Sequence, residues 1–147
     1  MVKIEVRAKV NPTEERSKVA AAVANIIDLE SGVEDVSGED YLYFTSGNIN
    51  SLKPLYDKLR DQKILEAARS ALLSAKTPES LVFHLNKQAA YVNRLHLCGQ
   101  SGESPLGPIT IAVRSKNIVG FIEWLTPPTV KGKPVTLGRE LLLEEGL

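Results

Sequence analysis

The chain has 147 residues, 43% of them apolar and 24% charged, enough for one compact core and too few to require two domains. Its 18 basic and 18 acidic side chains cancel, which removes any whole-molecule field that would argue for a polyanionic partner. No apolar run approaches the roughly 18 residues that span a bilayer, the alternating start Val2-Lys3-Ile4-Glu5 is unlike a signal peptide, and the single Cys98 excludes an internal disulfide or a thiolate metal site.

In chain order, Val2, Ile4, Val6, Ala8 and Val10 alternate with charged residues, as in a strand with one wet face, which favours an antiparallel sheet. Asn11-Pro12-Thr13-Glu14 supplies a cap, a proline at the first helical position and a glutamate placed to reach back to the cap. The spacing of Val19, Ala22, Val23, Ile26 and Ile27 predicts a helix running on to about Glu30, stopped by Ser31-Gly32. Asp35 to Asp40 reads as an acidic turn and Tyr41 to Thr45 as a second strand. A helix follows from a cap near Asn50, with Pro54 in its first turn. It breaks between Arg60 and Lys63, and a second stripe, Ile64, Leu65, Ala68 and Leu72, ends before Thr77-Pro78. Gln62, Arg69 and Lys76 flank that stripe and are expected to face solvent or a ligand.

Leu81, Phe83 and Leu85 predict a third strand, Asn86 to Ala90 one capped helical turn, and Tyr91 to Cys98 a fourth strand with Leu95 and Leu97 inward. Gly99 to Pro108 is the longest loop, with a type I turn at Ser104-Pro105-Leu106-Gly107. Ile109, Ile111 and Val113 form a fifth strand, and Ile118 to Leu125 a short helix, with Trp124 partly buried, cut off by Pro127-Pro128. The expected fold is a single α+β domain over residues 1–128, a mainly antiparallel sheet of about five strands with helices packed on one face. Residues 129–147 read as an extension, with a Lys-Gly-Lys turn and a last helix over Leu137 to Leu147 that docks or frays.

The charges are unevenly placed. Residues 1–50 carry five basic and nine acidic side chains, whereas 51–94 carry eight basic and four acidic ones. The central surplus reads either as a basic patch or as solvated helix faces. The polar, turn-rich stretch from Leu85 to Ile109 is the segment most suited to a partner.

Three blocks carry a resemblance: Arg60 to Arg69, Val82 to Ala90, and Glu103 to Ile109. With the opening strand and its Asn-Pro cap they resemble an uncharacterised archaeal protein family described as a predicted RNA-binding domain, over most of the chain to about Leu125. The resemblance implies a fold similar to the large-subunit ribosomal protein that holds the small ribosomal RNA. Fold-level likeness is a weak warrant for activity.

The expectation is therefore a cytoplasmic, non-enzymatic protein that binds structured RNA through backbone and shape contacts, needs no cofactor, and does not enter a membrane. Arg60, Lys63, Arg69, Lys87 and Arg94 would meet phosphates, Asn86 and Gln88 would offer amides, and Tyr91 would be the exposed aromatic. Each has a bland counterpart: Arg69 pairing with Glu66, Lys87 and Arg94 merely solvated, Asn86 a cap, Gln88 bonded to a nearby backbone group. The alternative is a homodimeric scaffold without nucleic acid, motivated by the wet face of the first strand and the apolar tail. An enzyme fits least, because His84, His96 and Cys98 lack the spacing of a zinc site and Gly102-Glu103-Ser104 is not a nucleophile elbow.

Overall fold

The computed structural model describes residues 2–98 and 106–130 and the backbone of 133–134. The alternation at the start of the chain becomes β1 (Val2–Lys9), with Val2, Ile4, Val6 and Ala8 buried and Lys3, Arg7 and Lys9 exposed. It lies between β3 (Tyr41–Ser46) and β6 (Pro108–Ser115), antiparallel to both. With β2 (Val33–Asp35), β4 (Ser80–Asn86) and β5 (Leu97–Cys98) they form one antiparallel sheet in the order β2-β3-β1-β6-β4-β5. Helices α1 (Arg16–Ala24), α2 (Lys53–Asp61), α3 (Leu65–Ala75), α4 (Lys87–Tyr91) and α5 (Ile118–Leu125) share one hydrophobic core with the inward residues of the strands. This is the expected single α+β domain, with a sixth strand, β2, between the Ser31-Gly32 stop and the acidic turn, where no strand was expected.

Three local readings differ in the structure. The Asn11–Glu14 cap exchange forms, with the Asn11 N–H donating to Glu14 Oε1 at 3.0 Å, but it closes a turn and α1 begins only at Arg16. At its other end α1 stops at Ala24, because the Asp28 N–H donates to Ser51 O at 2.7 Å and Ile26 O accepts from the Leu55 N–H at 3.2 Å. The expected strand from Tyr91 to Cys98 shrinks to Leu97–Cys98: α4 continues through Tyr91, Asn93 takes a left-handed φ of 66°, and the Arg94 N–H turns back to Ala89 O.

The break in the second helical block is real, since α2 ends at Asp61 and Lys63 sits at φ 58° before α3 starts. Pro54 lies in the first turn of α2, after a 3-10 turn (Ile49–Leu52) capped by Asn48 rather than Asn50. Trp124 is fully buried, its ring 5.0 Å from Tyr56 and 6.0 Å from Phe121. After Pro128 the backbone pairs Thr129–Val130 (β7) with Lys133–Pro134 (β8). The Leu137 to Leu147 segment and the Gly99 to Pro105 part of the long loop, with Glu103 and Ser104, lie outside the described residues.

Candidate nucleic-acid interface

Of the residues expected to meet RNA, four have their polar groups engaged by the protein itself. The Lys87 ammonium is buried, 4% exposed, and donates to Lys9 O at 2.7 Å, Leu106 O at 2.8 Å and Glu14 Oε1 at 3.0 Å. Those three acceptors match its three protons. The Asn11 amide also donates to Leu106 O, so one buried cluster ties together the end of β1, the turn into α1, the start of α4 and the close of the long loop. Burial raises the Glu14 carboxyl, but the Asn11 N–H, the Lys87 ammonium and the Asn11 amide outweigh it and hold the group below its ordinary value of 4.5. Asn86 is the cap of α4, accepting from the Ala89 N–H at 2.8 Å.

Arg60 and Arg69 both close the C-terminal end of α5. Arg60 stacks 3.3 Å from the Tyr56 ring centroid and donates to the carbonyls of Tyr56, Trp124 and Leu125. Arg69 donates to Thr126 O at 3.0 Å and to Glu123 Oε1 at 2.6 Å, so its carboxylate partner is on α5 and not the Glu66 of its own helix. Helix carbonyls at a C-terminus lack partners within the helix and carry partial negative charge, which guanidinium groups satisfy well. Burial pushes the Arg60 guanidinium down to about 10, with Asp57 opposing the shift; it stays charged at neutral pH. Gln62, expected to face solvent, instead brackets the Leu95 backbone, accepting its N–H at 2.7 Å and donating to its carbonyl at 3.2 Å.

Lys63, Gln88, Tyr91 and Arg94 are exposed. The Gln62–Leu95 bracket brings Lys63 and Arg94 to either side of one contact, near α4. The central basic surplus is thus divided: Arg60, Arg69 and Lys87 fasten the interior, while Lys53, Lys63, Lys76 and Arg94 are exposed and Lys58 is half-buried.

A second surface was offered by the sequence only as a dimer contact, through the wet face of the first strand. All five helices lie on one side, so the other face of the sheet is open to solvent. There the register sets Tyr43, Arg7, Thr110, His84 and Cys98 in one cross-strand row. The Arg7 guanidinium lies 4.5 Å from the Tyr43 ring centroid, and His84 Nδ1 is hydrogen-bonded to Thr110 Oγ1 at 2.9 Å. Glu5 and Thr45 belong to the next row, beside an exposed Val82, and Lys3 and Arg114 to the one after it. Lys9 and Tyr41 pair at the opposite end. Lys3, Arg7, Lys9 and Arg114 thus outnumber Glu5 and Glu34 on this face. The signal was the alternation in β1; missing was which strands flank it.

Burial of the His84 ring holds its pKa below 6.5, so the face carries a neutral imidazole at pH 7 and gains that charge only in acid. An NMR titration of the ring C–H resonance is expected to give a midpoint under 6.5; a midpoint above it would mean the ring is neither desolvated nor held as described. Among the described residues no group of three or more His, Cys, Asp or Glu side chains is placed to hold a metal, and no helix is long and apolar enough to cross a membrane.

Comparison with known proteins gives the family. A family model described as RNA binding matches residues 3–115. A UPF0201 protein of Aeropyrum pernix is 41% identical over 136 residues, covering 91% of each chain. Among solved structures, an uncharacterised UPF0201 protein superposes with a TM-score of 0.73 at 33% identity, covering 90% of this chain and 99% of that one. The UPF0201 protein of Methanococcus jannaschii gives the same TM-score at 27% identity, with 90% and 98% covered. By sequence and by fold, this chain belongs to the archaeal UPF0201 family.

Proposed function

We propose that this protein is a non-enzymatic RNA-binding module that reads structured RNA by shape and phosphate contacts, with the open face of the sheet as its principal surface. The observation that carries the reading is the excess of Lys3, Arg7, Lys9 and Arg114 over Glu5 and Glu34 on the helix-free face, interleaved with Tyr41 and Tyr43. Cations beside aromatic rings suit phosphate and base together. Lys63, Gln88, Tyr91 and Arg94 are proposed as peripheral contacts, while Arg60, Arg69, Asn86 and Lys87 contribute by shaping the scaffold. The likeness to the large-subunit ribosomal protein and a cytoplasmic location belong to this proposal too; a homodimeric scaffold without nucleic acid is the competing reading.

The balanced net charge limits affinity to the micromolar range, with strong salt dependence. Fluorescence anisotropy with structured RNA, at low and moderate salt, tests the reading. Arg7→Ala with Lys9→Ala is expected to flatten the log–log salt slope by about 2, roughly one for each phosphate that is no longer neutralised. An unchanged slope would place the RNA elsewhere, and a clean dimer by light scattering that ignores ribosomal, transfer and random RNA would end the RNA reading.

A further inference from the structure

At one end of the sheet, the Lys3 end of β1 and the Arg114 end of β6 open a groove of about 660 Å³ together with β2, β3 and β4, within the size range of small-molecule sites. Lys3 and Arg114 are cross-strand partners on the exposed face, with Lys116 two residues further along the same wall. Like charges directly opposite one another across a strand pair repel. Among the described residues, the ion pairing of this trio is a 3.7 Å contact from Lys3 to Glu5, solvent-exposed and therefore weak. The side chains of Arg114 and Lys116 have no hydrogen bond or ion pair among those residues. An arrangement that repels when empty and is relieved by an anion is what an anion site requires.

The walls are fixed in advance. The buried Ser46 hydroxyl accepts the Asn48 N–H at 3.0 Å and donates to Asn48 O at 3.1 Å, holding the turn after β3. The buried Ser115 hydroxyl accepts the Asn117 N–H at 3.0 Å, holding the turn after β6, while the Ser115 N–H donates to Glu79 O. Across the sheet the order of charges is then Glu34 on β2, Lys3 on β1, Arg114 on β6 and Glu79 before β4. Cations occupy the centre and a carboxylate stands at each outer wall. A single phosphate between the cations leaves Glu34 or Glu79 to accept hydrogen bonds from sugar hydroxyls.

We propose that this groove binds a terminal ribose phosphate, its phosphate held by Lys3, Arg114 and Lys116 and its hydroxyls by Glu34 or Glu79. The site goes beyond the RNA reading, because the ligand chemistry is the same for a free nucleotide and for a phosphorylated RNA end. Calorimetry on the full chain at constant ionic strength should show adenosine 5′-monophosphate binding at least tenfold more tightly than adenosine. Arg114→Gln and Lys116→Gln, both at exposed positions, should each weaken it about tenfold while leaving the thermal midpoint unlowered. Glu34→Gln with Glu79→Gln should weaken the nucleotide while inorganic phosphate binds no more weakly than to the parent.

Competition by a 5′-phosphorylated RNA oligomer, but not its 5′-hydroxyl counterpart, would identify an RNA end as the ligand; nucleotide binding without competition would identify the free nucleotide. Equal binding of adenosine and its monophosphate, or Arg114→Gln and Lys116→Gln chains that bind like the parent, would overturn the proposal. RNA affinity that depends on Arg7 and Lys9, with no nucleotide binding, would sink the groove and leave the RNA reading standing; nucleotide binding with no RNA affinity would do the reverse.

Discussion

Replacing Lys87 with methionine is expected to destabilise the fold by about 3–5 kcal/mol, the usual result of removing one partner of a buried ion pair. The Glu14 side chain is 11% exposed and would be left charged without its cation, and Leu106 O and Lys9 O would each lose a donor. For a domain of this size the thermal midpoint should fall by roughly 10 °C. Adding Glu14→Gln should recover part of the loss, because the orphaned charge is then gone. The Glu14 carboxyl titrates below its ordinary value of 4.5, so its contribution is fully present above that pH and fades as pH falls through the lower folded value. In the methionine variant the unpaired carboxyl protonates more readily, so the gap between variant and parent should narrow in acid. Urea unfolding at several pH values measures all of this. A loss under about 0.5 kcal/mol, the range of ordinary surface substitutions, would return Lys87 to the surface and to the RNA.

The second large effect concerns the two arginines that close α5. Arg60→Ala combined with Arg69→Ala is expected to remove about 3 kcal/mol, taking roughly 1.5 kcal/mol for each charged donor removed from the helix-end carbonyls. The carbonyls of Trp124, Leu125 and Thr126 would lose these donors, and Tyr56 its stacked guanidinium. Trp124 packs on the same Tyr56 ring, so its fluorescence should report the loosening before global unfolding. If the double variant keeps its stability and loses RNA affinity instead, the two side chains are ligand contacts and not fasteners.

Both predictions bear on how much could be read from the residues alone. Local chemistry was legible wherever one element sufficed: the alternation of β1, the Asn86 cap, the break around Lys63 and the apolar stripe of α5 all stand in the structure. What misled was the equation of polar with exposed. Lys87, Arg60, Arg69 and Gln62 are polar residues beside apolar stripes, and a linear pattern does not tell a solvated face from one whose heads turn inward onto backbone groups. Lys87, Arg69 and Gln62 find backbone partners 19 to 78 residues away, beyond the reach of any periodicity.

The family blocks pointed to an archaeal family described as RNA-binding, and the family comparison agrees. Neither blocks nor periodicity located a surface. That required knowing that β1 lies between β3 and β6, which sets Arg7 beside Tyr43 and Lys3 across from Arg114. By itself the sequence determined the long strands, the apolar stripes of the helices and which side of each long strand is wet, because those depend on spacings of two to four residues; the ends of α1, the short strand β2 and the turn after α4 did not follow from spacing. Strand order, the fate of each cation and the groove at the sheet end were decided only by tertiary structure, since pairing and burial are settled between segments far apart in the chain, where one acceptor in the interior outcompetes water.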